Sequence, residues 1–192
     1  MKNFYIPTSI VYTNSSPHIG FALEVIQADV VARYHRLLGE DVLFSTGTDE
    51  HGIKNAQAAK ALGEPPADFT EEIARRVMDL TKALNLSNNE FIRTTDKKRH
   101  WPTVKKVWLK LKENGDIYKK KYEGMYCVGC EAFVVIRDLV DGKCPIHKSF
   151  PEVVEEENYF FRLSKYENQL KKIIIGKEMK IIPEHRRNEL LD

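Results

Sequence analysis

The chain has 192 residues, 42% hydrophobic and 30% charged, an ordinary balance for a soluble globular protein with room for one domain and a smaller inserted one. A formal net charge of +2 does not mark a nucleic-acid binder, and no apolar run approaches the roughly 20 residues that span a bilayer. The 3 cysteines, all between Cys127 and Cys144, are an odd number that argues against a disulfide framework and for a metal. Pro7 and the hydroxyl residues around it interrupt any signal-peptide apolar region, so a cytoplasmic location is expected.

Phe4 to Tyr12 is apolar, β-branched and aromatic, which predicts a strand, and Thr13-Asn14-Ser15-Ser16-Pro17 predicts a turn with helix-capping residues. A helix is expected from about His18 to Gly39, with Ala22, Ile26, Val30, Tyr34 and Leu37 as its apolar stripe, widened by Val25 and Leu38. Asp41 to Thr46 predicts the next strand, closing a βαβ unit whose ligands should sit at the carboxyl ends of parallel strands. Helices follow at about 50–62 and 68–84, with the first stopped by Gly63 and Pro65-Pro66. A strand near Phe91-Ile92-Arg93 precedes a helix capped by Asp96 and ending near Asn114-Gly115. From Ile117 to Phe161 the pattern turns short-stranded and aromatic, which predicts an inserted domain, and 165–175 reads as helix. The expected class is α/β, a Rossmann-like first half at 1–116, a small zinc-binding insert at 117–162 and a helical return segment at 163–192 towards a second half.

Cys127-Val128-Gly129-Cys130 and Cys144-Pro145-Ile146-His147 are two ligand pairs of equal spacing, as a tetrahedral structural zinc site requires. Four protein ligands leave no open position, so the ion should hold the fold rather than do chemistry. Pro17-His18-Ile19-Gly20 opens the first helix, where amide groups and the helix dipole favour an anion; there His18 can donate to a phosphate and Gly20 permits close approach. Neither a Walker loop nor a GxGxxG loop is present. Gly47-Thr48-Asp49-Glu50-His51-Gly52 puts two carboxylates and a histidine at the same sheet edge. The basic runs Lys97–His100, Lys119–Lys121 and Arg186-Arg187 read as solvated faces.

Taken together, Asn14–Gly20, Gly47–Gly52, Phe91–Thr95, and Cys127–Cys130 with Asn158-Tyr159-Phe160-Phe161 resemble the methionyl-tRNA synthetases in order and spacing, over essentially the whole chain. The first block fits any class I synthetase, whereas the leucyl, valyl, isoleucyl and cysteinyl families differ at the second. The resemblance implies an ATP-dependent ligase that joins methionine to AMP and transfers it to tRNA, with Mg2+ accompanying ATP. It implies that Asn14, Pro17, His18, Ile19 and Gly20 bind ATP, with His18 and Gly20 the catalytic pair. Ser9, Ile10 and Tyr12 would line the methionine pocket, and Asp49 would receive the methionine ammonium. Cys127, Cys130, Cys144 and His147 would hold the zinc of a connective insert.

Two departures bear on this reading. Phe21 stands where the family's first signature ends in a second histidine or a similar polar residue. The lysine-rich KMSKS loop and the anticodon-binding domain have no counterpart, since Arg162-Leu163-Ser164-Lys165 shares only a Ser-Lys with that loop, so a piece of a longer or split enzyme, inactive without a complementing chain, is expected. The competing readings are a non-catalytic zinc-containing module that docks RNA or protein, and an adenylate-forming enzyme of the same fold for another acid.

Overall fold

The computed structural model describes residues 2–191, with the side chains of all but Tyr122 and Glu156. The chain divides into two compact units, Met1–Val104 with Tyr126–Glu152, and Lys105–Met125 with Val153–Asp192. Among the described residues no helix is long and apolar enough to cross a membrane.

In the first unit β1 (Asn3–Pro7) and β2 (Val11–Tyr12) run parallel along β3 (Asp41–Asp49), and β4 (Glu90–Arg93) pairs with β3 in parallel too. The crossover from β2 to β3 is α1 (Ile19–Leu37), so the expected βαβ unit is present. The expected single strand from Phe4 to Tyr12 is broken, however. Pro7 faces Ser45 and Val11 faces Thr48, so Thr8, Ser9 and Ile10 lie opposite only Thr46 and Gly47. One extra residue bends the strand and re-aims its side chains where the candidate pocket residues Ser9 and Ile10 sit. The next strand runs to Asp49, past its expected end at Thr46. Gly47 permits this, because a Cβ there would lie 2.0 Å from the Ile92 carbonyl oxygen on β4.

Most of the expected stripe of α1 is not its buried face. Ile26, Val30, Tyr34, Leu37 and Leu38 are exposed and Ala22 is half-buried, while Val25, which widened the stripe, is buried together with Phe21, Asp29 and Ala32. The helix is apolar on both sides, so periodicity alone could not choose the inward face, and an acidic residue on the true face disguised it. Asp29 is held there by the Ser87 amide at 2.7 Å and by Arg33 Nε at 2.6 Å. Burial works against its charge, but these donors from Ser87 and Arg33 outweigh it and keep the carboxyl below its ordinary value.

After β3 come α2 (Ile53–Leu62), ended by Gly63 in the left-handed conformation, and α3 (Pro66–Ala83), which starts on a proline as a first helical turn tolerates. Phe21 and Val25 pack with Val77 of α3; Ala32 packs with Val42 and Phe44 of the sheet; Ala59 of α2 packs with Phe69 and Ile73. These clusters fix α1 and α3 against the strands whose carboxyl ends carry the polar motifs.

Asp96 accepts from the amides of Lys98 and Arg99, but the turn it closes at 97–100 precedes the helix it was expected to cap, α4 (Trp101–Glu113). A second sheet has β5 (Ile117–Cys127) between β6 (Ala132–Val134) and β7 (Glu152–Phe161). Its main strands are long, 11 and 10 residues, not short. Their lysine, glutamate and aromatic alternation is that of a solvated ribbon, which a search for apolar runs passes over. In the second unit the buried carboxylate of Asp116 accepts from Lys165 Nζ and from the Tyr166 hydroxyl at 2.7 Å, before α5 (Glu167–Ile175). Lys165, the lysine of the Ser-Lys pair, is thereby committed to a local ion pair.

Candidate functional site

The turn between β2 and α1 builds a cleft of about 240 Å³, lined by Ile10, Tyr12, Asn14, Pro17 and His18 with Phe21 among its walls. His18 is the N-cap of α1, and its Nδ1 accepts the Gly20 amide at 3.0 Å. An imidazole that accepts at Nδ1 when neutral carries its proton at Nε2, so the cap leaves His18 a donor directed away from the helix. Gly20 serves this arrangement, since a Cβ there would meet His18 Cε1 at 2.9 Å. Ile19 is almost fully exposed and stands outside the cleft wall. Phe21 is a core residue, 2% exposed, whose ring packs on Val25 and Val77. Its presence therefore has a packing cause as well as a cost in polar groups.

Ser9 is tied away from the cleft: its amide and hydroxyl both donate to the Glu24 carboxylate, each at 2.7 Å. Glu24 was not singled out from the sequence; its place on α1 beyond Gly20 was the available signal. Tyr12 lies opposite Asp49 in the parallel register, and the buried Thr13 donates its amide to the Asp49 carbonyl at 3.2 Å. The half-buried Asp49 carboxylate accepts the His51 amide at 3.3 Å.

Beneath this edge lies a polar clamp that sequence spacing did not predict. Glu50, 5% exposed, accepts Thr48 Oγ1 at 2.7 Å, Arg93 Nε at 2.6 Å and Nη2 at 3.0 Å, and the Thr95 hydroxyl. Burial alone would raise its pKa, but these donors, led by Arg93, hold it below the ordinary 4.5. The same contacts, with Glu71, hold the Arg93 guanidinium charged. Thr94 Oγ1 receives the Glu50 amide at 2.8 Å and lies 3.2 Å from His51 Nδ1. Thus the Phe91–Thr95 block pins the Gly47–Gly52 turn through Glu50, while the carboxylate of its neighbour Asp49 holds the His51 amide and is not among the residues that line the cleft.

Cys127, Cys130, Cys144 and His147 converge, their ligand atoms all within 4.8 Å of one another. Metal–sulfur bonds of about 2.3 Å at tetrahedral angles require sulfurs about 3.8 Å apart. Cys130 Sγ lies 3.5 Å from Cys144 Sγ and 3.2 Å from His147 Nδ1, and Cys127 Sγ lies 4.0 Å from that nitrogen, so the donor set fits such an ion. The His147 amide draws the Cys144 thiol down to about 6, whereas hydrogen bonding to Cys144 pushes Cys130 up to about 12. The three sulfurs and the imidazole nitrogen are gathered as closely as the ligands of one tetrahedral ion. Gly129 makes the gathering possible, for a Cβ at that position would meet His147 Cγ at 2.3 Å.

The knuckle belongs to the same compact unit as the cleft. Glu131, next after Cys130, accepts the Tyr12 hydroxyl at 2.6 Å, and Lys54 lies 5.4 Å from the Tyr12 ring centroid and 3.9 Å from Glu131.

A parallel sheet with a histidine-capped helix over its carboxyl edge has a wide structural kinship. The leucyl enzyme of Agrobacterium radiobacter K84, solved with tRNA, superposes with a TM-score of 0.80 over 99% of this chain and 24% of its own, at 21% identity. At that identity the likeness is one of fold, the fold of class I tRNA synthetases. A narrower relationship holds over the full sequence. The family model "tRNA synthetases class I (M)" matches residues 4–149 and 134–192, and the chain belongs to this methionyl family. The methionine–tRNA ligase of Thermotoga maritima is 50% identical over 98% of this chain and 30% of its own. The methionyl-tRNA synthetase of Mycobacterium tuberculosis, solved with methionyl-adenylate, has a TM-score of 0.93 at 42% identity, over 100% of this chain and 38% of its own. The chain thus spans about a third of the length of these relatives.

Proposed function

We propose that the chain forms the ATP-loop and amino-acid-recognition part of a methionine–tRNA ligase, with an inserted knuckle at 117–162 that holds a structural zinc ion. The observation that carries this reading is the placement of Tyr12 and Asp49 side by side at the carboxyl edge of the sheet, next to the His18-capped start of α1. Asp49 supplies an anion for the methionine ammonium, and Ile10 and Tyr12 supply apolar and aromatic wall. His18 Nε2 and the first amides of α1 face the phosphates of ATP, which arrives with Mg2+. Asn14, Pro17, Ile19 and Gly20 set the course of that turn, and Ser9 acts through its bond to Glu24.

In the reaction this assigns, the methionine carboxylate attacks the α-phosphate of ATP, a phosphorus–oxygen bond to pyrophosphate breaks, and the methionyl group then passes from AMP to tRNA. Charge stabilisation and alignment are what such a site contributes. Zinc bound by three thiolates and one imidazole has no open position and would fix the knuckle.

The test is calorimetric titration of zinc-loaded chain with a non-hydrolysable methionyl-adenylate analogue, beside His18→Ala. Saturable binding by the wild type, weakened about tenfold or more in the variant, is expected for loss of a charge-assisted phosphate contact. Absence of binding by wild type that carries one zinc per chain would refute the reading.

A further inference from the structure

Glu131 combines features that anchoring the knuckle does not require. It follows a candidate metal ligand directly and has φ 51°, a left-handed backbone that residues other than glycine adopt at a cost. Its amide donates to the Val128 carbonyl at 3.3 Å, closing the turn, and its side chain leaves the knuckle to reach the strand edge. There Oε2 accepts the Tyr12 hydroxyl at 2.6 Å. Oε1 is buried and has Lys54 Nζ 3.9 Å away as its cation. The Tyr12 ring is thus held at three places: by its strand pairing opposite Asp49, by Lys54 beside its face, and by Glu131 at its hydroxyl.

We propose that Glu131 is a positioning residue that couples the Cys/His knuckle to Tyr12, so that an assembled knuckle sets the orientation of the tyrosine at the amino-acid edge. Resting on the functional reading above, this makes amino-acid recognition depend on the metal through one carboxylate, with no contact between the ion and the substrate. The left-handed turn after Cys130 is what aims that carboxylate. When the ligands scatter the turn relaxes, and Tyr12 loses its acceptor while keeping its strand.

Two readouts test the proposal. In the first, 3-fluorotyrosine is placed at position 12 and its fluorine resonance is followed in the full chain before and after chelation of the metal. Chelation is expected to shift or broaden the wild-type signal, Glu131→Ala is expected to show that altered signal from the start, and Glu131→Gln, which keeps an acceptor oxygen, is expected to lie near wild type. The second is affinity for the methionyl-adenylate analogue at equal metal content. Glu131→Ala and Tyr12→Phe should each weaken binding by about tenfold, the expected scale for one hydrogen bond to a charged group, and the double variant by no more than either. A resonance indifferent to both chelation and Glu131→Ala would overturn the coupling, as would fully additive losses in the cycle. Wild type that binds no analogue yet keeps the fluorine response would refute the amino-acid site and uphold the coupling.

Discussion

The knuckle and the strand edge it touches are built on opposite plans. Each of the knuckle's four candidate ligands lies within three residues of another, and Gly129 between the first pair makes room for the histidine of the second. The edge is assembled over distance: Tyr12 opposite Asp49, Glu50 beneath Arg93, Thr94 and Thr95, Ser9 on Glu24. Local spacing can be read along a chain, whereas a clamp between strands exists only after the strands have found their register. The same polar residue types thus act through local spacing in the knuckle and through strand register at the edge.

The largest expected effect is on the knuckle. Structural zinc contributes on the order of 10 kcal/mol to the order of small domains, so chelation should unfold the segment around 127–147 while the parallel sheet persists. Hydrogen exchange would register this as lost protection in the knuckle alone. Gly129→Ala should act in the same direction, lowering the metal below one per chain, because the new methyl group occupies the place of the His147 ring. Protection in β3 falling together with that of the knuckle would break the contrast.

On the distributed side the strongest test is Glu50→Ala. Removing one partner of a buried ion pair costs about 3–5 kcal/mol, and Arg93 retains Glu71, so the lower end, about 3 kcal/mol, is expected from denaturant unfolding. The sign of its pH dependence follows from a folded-state value held below the ordinary 4.5. The contribution of Glu50 is complete above that value and is lost as pH falls through the lower folded-state value. The difference between wild type and variant should therefore be flat near neutrality and shrink in acid, and a difference that grew in acid would contradict the clamp.

What could be read in advance follows the same division. The βαβ order and the helix-opening histidine are legible in local patterns, and the four candidate metal ligands, paired in the sequence, stand together in space. The inward face of α1 is not legible, because Phe21, Val25, Asp29 and Ala32 form a stripe whose third member is charged, with partners Arg33 and Ser87 that only the fold supplies. Nor is the extra residue opposite Thr46 and Gly47, since alternation continues through Thr8–Ile10 while the register does not. Gly47 looked like part of a binding motif, yet its demonstrable constraint is the nearness of Ile92. Gly47→Ala should cost about 1–3 kcal/mol as overpacking between β3 and β4, read as a lower unfolding midpoint with an unchanged slope.

The smallest expected stability effect bears hardest on function. The two ring nitrogens of His18 are separable: Nδ1 accepts the Gly20 amide as the cap of α1, and Nε2 is the nitrogen left for the proposed phosphate contact. Deleting a cap costs about 1 kcal/mol, so His18→Ala should lower stability modestly. Asparagine is itself a good cap but places no donor where Nε2 stands, so His18→Asn should regain most of that stability. If phosphate binding rests on Nε2, His18→Asn will remain as defective in analogue binding as His18→Ala. If the two functions are one, and the histidine matters only because it orders the first turn and its amides, binding will return with stability, and the outward nitrogen will have no part in holding the nucleotide.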